Sequence, residues 1–190
     1  MKWLGVSLLS LMVVGLARPA AAQPKAEISG GYNWLGVKAK GDDEMTKFPK
    51  GWYFDVAGNV TPMISIVGQV TGNSKHFEDD GFKLKALSFM GGVRAGNSGP
   101  VRGFGQVLFG GLRLTGDDDA STFNFSETHL AFDLGGGVNV GSGPVGLRLG
   151  LDYVRVMKKD DSEILLDDND DPIGLNGFRF TVGVTFGFGN

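Results

Sequence analysis

Few residues of this 190-residue chain carry side chains suited to chemistry. Its two histidines are His76 and His129, and the second stands beside Ser126 and Glu127. A serine, a carboxylate and an imidazole are the set needed for acyl or ester transfer. On an extended chain, however, positions i, i+1 and i+3 do not all converge, and no glycine-flanked serine supports the set. A histidine at a loop end is the simpler reading, and no catalytic residue is assigned. Asp167, Asn169 and Asp171 have the alternate spacing of the first half of a calcium-binding loop. Pro172 occupies the place of the required glycine, and Phe178 stands where a bidentate glutamate would close the loop. The stretch reads as a solvated acidic loop, with weak divalent-cation binding at a cell surface as the alternative. The sequence calls for no metal ion and no cofactor, and glycine runs such as Gly135-Gly136-Gly137 lack the strand-to-helix setting of a nucleotide site.

The other charges are sharply sorted. All but four of the 21 acidic residues lie in four stretches, at about 40–50, 73–81, 115–128 and 158–176. The remaining four are Glu27, Asp55, Asp133 and Asp152. Each sits inside an alternating segment, as do Arg94, Arg148 and Arg179, so the elements that hold them decide what they do.

The clearest such element is Gly177 to Phe188, GFRFTVGVTFGF. Phe178, Phe180, Val182, Val184, Phe186 and Phe188 share one face of an extended strand, and Arg179, Thr181, Gly183 and Thr185 share the other. Seven further segments read alike: 27–38, 51–60, 63–71, 82–95, 101–114, 129–140 and 145–156. Ile28, Tyr32 and Trp34 oppose Glu27, Ser29 and Asn33. Trp52, Phe54 and Val56 oppose Tyr53 and Asp55, and Leu130, Phe132 and Leu134 oppose Asp133. Leu147, Leu149 and Leu151 oppose Arg148 and Asp152. Each segment is long enough to cross a bilayer at the usual strand tilt, about 9 to 11 residues. Short Gly- or Pro-containing joins at 61–62, 96–100 and 141–144 alternate with the four long acidic ones, and three short turns with four long loops suit eight antiparallel strands. Trp34, Trp52, Tyr53 and Tyr153 fall near strand ends, where interfacial aromatic girdles sit. Eight strands enclose a space just wide enough for side chains. Charges confined there must pair. The expectation is therefore a polar lumen plugged by Glu27, Asp55, Arg94, Asp133, Arg148, Asp152 and Arg179.

Composition narrows the class. A net charge of -3 with no basic cluster excludes a broad nucleic-acid surface. With no cysteine there is no disulfide framework or lipid-attachment thiol. The 32 glycines are spread through the alternating segments, which points to a tightly curved sheet. Lys2, an apolar run of about 15 residues and Ala20-Ala21-Ala22 read as a signal peptide, 1–22, cleaved to leave a single domain, 23–190. The run is short of the roughly 20 residues a spanning helix needs.

The stretches GWYFDVAGNVTPMISIVGQVTG (51–72), GQVLFGGLRL (105–114), FDLGGGVNV (132–140) and GLRLGLDYVRV (146–156) resemble the outer-membrane β-barrel domain family, the small OmpA/OmpX-like barrels. Thr181, Gly183, Phe186 and Phe188 resemble the C-terminal signal read by the barrel-assembly machinery, although Gly189 and Asn190 follow the final aromatic. The resemblance implies an all-β, eight-stranded up-and-down barrel in the outer membrane of a Gram-negative envelope. Its partners would be outer-membrane lipids, lipopolysaccharide and the assembly machinery, with no nucleic acid, and it would be a monomer. The role expected is structural or surface-interacting, not enzymatic; the alternatives are a lipid A-modifying barrel enzyme and a small-solute or ion pore.

Overall fold

The computed structural model describes residues 24–39, 45–77, 82–118, 124–141, 144–157 and 174–189. The leader and the candidate cation residues Asp167, Asn169 and Asp171 lie outside these. Among the described residues there are nine strands: β1 (Ala26–Ala39), β2 (Thr46–Phe48), β3 (Lys50–Asn59), β4 (Ile64–Phe77), β5 (Phe82–Gly96), β6 (Val101–Asp118), β7 (Asn124–Val140), β8 (Val145–Val156) and β9 (Leu175–Phe188). From β3 onward each strand pairs antiparallel with its successor. β1 pairs with β3 on one side and, from Ala26↔Phe188 to Ala39↔Leu175, with β9 on the other. The sheet therefore closes on itself. In hydrocarbon no water can satisfy a free edge, so closure is the condition for crossing a membrane with strands.

The ninth strand does not enlarge the barrel. β2 continues β3 along the upper part of β1: the register runs to Tyr32↔Trp52 and resumes at Leu35↔Phe48. Two residues of β1 thus face three, Pro49 to Gly51, which is a bulge. Pro49 has no N–H to contribute there, and the one-residue shift turns Phe48 into the interior. Eight staves form the wall.

Outward side chains form an apolar belt. Ile66 and Leu147 are each 62% exposed, and Phe54, Phe89, Phe109, Leu130, Phe180 and Phe186 are exposed with them. Left in water, such a continuous surface would cost about 25 cal/mol per Å² of apolar area, whereas lipid covers it. Near the upper edge the Tyr153 ring lies edge-on to Phe132 and Phe178, with centroids at 6.5 and 5.7 Å. Its Oη donates to Asn176 Oδ1 at 2.8 Å. Trp52 and Tyr32 are exposed along the same edge. Tyr53 is not among them: alternation from Trp52 turns it inward, where it is buried.

All four long joins are shorter than expected: β2 lies within the first and β9 opens at Leu175 within the fourth. Pairing continues to Phe77↔Phe82 and to Asp117↔Asn124, so 73–77, 115–118 and 124–128 belong to strands. Backbone pairing is indifferent to side-chain polarity once the strand has left the hydrocarbon, so polar residues do not mark its end. At the other end, the join between β3 and β4 is a tight turn in which Thr61 Oγ1 accepts from the backbone N–H of Met63 (3.2 Å) and Ile64 (3.0 Å). The glycine content has a direct cause. A Cβ on Gly110 would lie 1.9 Å from the Phe89 carbonyl oxygen, and one on Gly92 2.0 Å from that of Val107. In so narrow a barrel the neighbouring backbone occupies the inward Cβ position.

Candidate functional site: the barrel interior

The lower half of the lumen, toward the short turns, is charged. Asp55 on β3 lies between two arginines: Arg94 on β5 donates to its Oδ2 at 2.8 Å, and Arg148 on β8 donates to the same oxygen. Arg148 also reaches Asn139 Oδ1 (2.8 Å) and Glu27 Oε2 (3.4 Å). Glu27 in turn accepts from Arg102. Arg94 donates through Nε and Nη2 to Gln106 Oε1 at 3.0 and 2.8 Å, and Gln106 Nε2 donates to Asp152 Oδ1 at 2.9 Å. The Phe104 ring lies 4.8 Å from the Arg94 guanidinium and 5.1 Å from that of Arg148, so one aromatic ring makes cation–π contacts with both like charges.

Higher up, Arg179 on β9 pairs with Asp133 on β7 and also reaches Gln69 Oε1 at 3.4 Å. Both members of that pair are fully buried. Hydroxyl and amide contacts tie the remaining wall together: Ser29 with Thr185 (2.9 Å), Thr71 with Ser88 (2.6 Å) and Asn33 with Asn73 (2.8 Å). Arg94, Arg102, Arg148 and Arg179 meet Glu27, Asp55, Asp133 and Asp152, so this group is neutral in sum, as a low-dielectric space requires.

The lumen is not polar throughout. Toward the long loops its lining is mainly apolar: Leu35, Val37, Phe48, Leu112, Leu114, Val154, Val156 and Leu175 are buried against one another, with His129 and Glu127 facing inward beside Leu112 and Leu114. At the strand tops both faces are apolar, as in Trp34-Leu35 and Tyr153-Val154, and alternation alone does not announce that change.

All seven residues singled out from sequence face inward and are buried, but their pairing is uneven. Asp55 serves two arginines, while Asp152 accepts an amide although Arg179 is its cross-strand neighbour. Arg102 and Phe104 were missed as members, and the parity of Gln106 would have found both. Ser126, Glu127 and His129 separate by face. Ser126 is exposed outside and accepts from Arg113 Nε at 2.6 Å, whereas His129 is buried inside with Nε2 3.4 Å from Glu127 Oε2. Glu127 is thus an interior strand residue and not part of a loop. His76 is on the outward face of β4. On β9, Thr181 is buried, and a Cβ on Gly183 would lie 2.3 Å from the Gly30 carbonyl oxygen and 2.6 Å from Tyr53 Oη. Phe186 and Phe188 face lipid. Among the described residues no cluster of three His, Asp or Glu side chains could hold a metal ion.

A closed eight-stranded barrel with lipid-facing apolar walls is an integral outer-membrane protein. The sequence matches the outer membrane protein beta-barrel domain family over residues 6–188, and the chain belongs to that family. Among solved structures it is similar to Neisserial surface protein A, at 14% identity and a TM-score of 0.63, covering 88% of this chain and 100% of that one. It is also similar to Ail, the attachment invasion locus protein of Yersinia pestis, at 18% identity and a TM-score of 0.56, covering 87% and 100%. Ail in complex with the heparin analogue sucrose octasulfate matches at 15% identity and a TM-score of 0.55, covering 87% and 100%. At these identities the likeness concerns the fold. No curated protein matches the chain.

Proposed function

We propose that this protein is a plugged, non-conducting outer-membrane barrel that displays acidic loops outside the cell, with a structural or surface-interaction role and no enzymatic activity. The observation that carries the reading is the filled interior: buried arginines and carboxylates below, a buried apolar layer above. Ions crossing such a lumen would have to displace both. The separation of Ser126 from His129 by the wall itself supports a non-catalytic role. Ail's complex with a polysulfated sugar does not transfer simply, since acidic loops repel such a ligand and favour cationic or cation-bridged partners. Delivery would follow from cleavage after Ala22, and assembly as a monomer from recognition of Thr181, Gly183, Phe186 and Phe188 by the barrel-assembly machinery.

The test is reconstitution in planar bilayers. The folded protein, checked by its faster gel migration before boiling, is expected to give no stable conductance steps. Steps abolished by Arg148→Ala would overturn the plug. For the enzymatic alternative, incubation with lipid A is expected to leave its mass unchanged, and a change lost in His129→Ala would overturn that part.

A further inference from the structure

Register places eight outward-facing residues in two rows across β3 to β6. The upper row is Lys50, Ser74, Lys85 and Thr115; the row beneath it is Trp52, Gly72, Leu87 and Arg113. Neither row contains a carboxylate. Below them the wall is purely apolar, with Phe54, Val70 and Phe89. Gly72 has no side chain, and the Trp52 indole lies across it, so that a Cβ there would meet Nε1 at 2.6 Å. The result is a concavity of about 570 Å³ on the outer wall, lined among others by Lys50, Trp52, Ser74, Lys85, Leu87 and Arg113.

Strands are spaced about 4.8 Å apart, so Lys50 and Lys85, two strands apart in one row, stand roughly 10 Å from each other along the wall. Arg113 is one strand and one row from Lys85, and its bond to Ser126 holds it in place. Three cations and two hydroxyls thus border an apolar floor. The opposite wall also carries two cations in one row, Lys38 and Arg155 on either side of Asn176, but there the row beneath is filled by packed rings of the Phe132, Tyr153 and Phe178 cluster. With the short turns in the periplasm, the notch lies at the outer leaflet's headgroup level.

We propose that this notch binds a phosphorylated glycolipid of the outer leaflet, of the lipid A class: Lys50, Lys85 and Arg113 take its phosphates, and Trp52 and Leu87 take the first carbons of its acyl chains. Charge complementarity selects the occupant, because the bilayer requires an amphiphile at this depth and the site requires an anion. The inference rests on the outer-membrane reading and deepens its lipid partnership.

The experiment uses the full folded barrel in detergent without divalent cations, with bound lipid counted by native mass spectrometry. Diphosphorylated lipid A is expected to bind at one equivalent. Lipid A stripped of phosphate, or the variant Lys50→Gln/Lys85→Gln/Arg113→Gln, is expected to bind at least tenfold more weakly, while Arg155→Gln binds as the wild type does. The dephosphorylated-lipid arm needs no variant, so it decides the question even if the triple variant fails to fold. Equal binding of the two lipids, or of wild type and a folded triple variant, would overturn the site. Displacement of lipid A by millimolar inorganic phosphate would also overturn it, as a general anion site. Recovery of the protein outside the outer-membrane fraction is a separate result, and would instead sink the underlying reading.

Discussion

Replacing Asp133 by alanine should be among the most damaging single changes in the lumen. Its partner Arg179 is fully buried. Apart from Asp133 its acceptor is Gln69 Oε1 at 3.4 Å, beyond the usual 2.7–3.2 Å range. The variant would leave a buried cation with one weak neutral acceptor and, across the strand, Asp152, which already accepts from Gln106. The loss should therefore sit toward the lower end of the range of about 3–5 kcal/mol for breaking a buried pair from one side. At about 1.4 kcal/mol per decade, that lower end is about two orders of magnitude in the unfolding constant. Glu27→Ala is the contrasting case. Arg148 keeps Asp55 and Asn139, and Arg102 is only partly buried, so the loss should stay nearer the roughly 1.5–3 kcal/mol of a charged hydrogen bond. The double change Asp133→Leu/Arg179→Met removes both charges and should recover most of the stability, since apolar replacement of a buried pair is often neutral. Equilibrium urea unfolding in liposomes, followed by Trp34 and Trp52 fluorescence and by the unboiled gel band, measures all three. If Asp133→Ala costs less than about 1 kcal/mol, the range of an exposed pair, or if the double variant is no more stable than Asp133→Ala, the pairing argument is wrong.

Other sites give independent checks. Gly110→Ala puts a Cβ 1.9 Å from the Phe89 carbonyl and should sharply lower the yield of folded barrel, whereas Gly68→Ala, with no atom within 4 Å, should fold normally; the unboiled-to-boiled band ratio compares them. Leu108→Ala at a fully buried position should cost about 2–5 kcal/mol by leaving a cavity, read in the same urea titration, and a cost under about 1 kcal/mol would mean the interior is not tightly packed there. Phe186→Ser with Phe188→Ser should reduce assembly in cells several-fold yet leave spontaneous folding into thin synthetic bilayers largely intact. Equal losses in both settings would assign those phenylalanines to general lipid contact and not to an assembly signal.

Much of the wall was legible before any tertiary structure, because the direction of a side chain on a strand is a local property of the extended backbone. Phe178 must oppose Arg179, and Trp52 must oppose Tyr53, whatever else the chain does. Applied strictly, that rule also places Tyr53 inside, against its assignment to the aromatic girdle. The inward position of Arg94, Arg148, Arg179 and the four isolated carboxylates follows from the same local rule. Local pattern says nothing about pairs brought together from distant positions. That Asp55 serves both Arg94 and Arg148 while Asp152 takes Gln106, and that β9 returns to β1, depends on the stagger of strands around a closed sheet. The pattern is also silent where polarity stops mattering. β4 and β6 run past residues 73 and 115 because paired backbones outside the hydrocarbon need no apolar face, and β2 bends inward at Pro49 because a proline interrupts the ladder. The amino-acid sequence by itself determined which face of each strand meets lipid, and tertiary structure decided how the buried charges pair and that an apolar layer closes over them, since both depend on contacts made across the lumen.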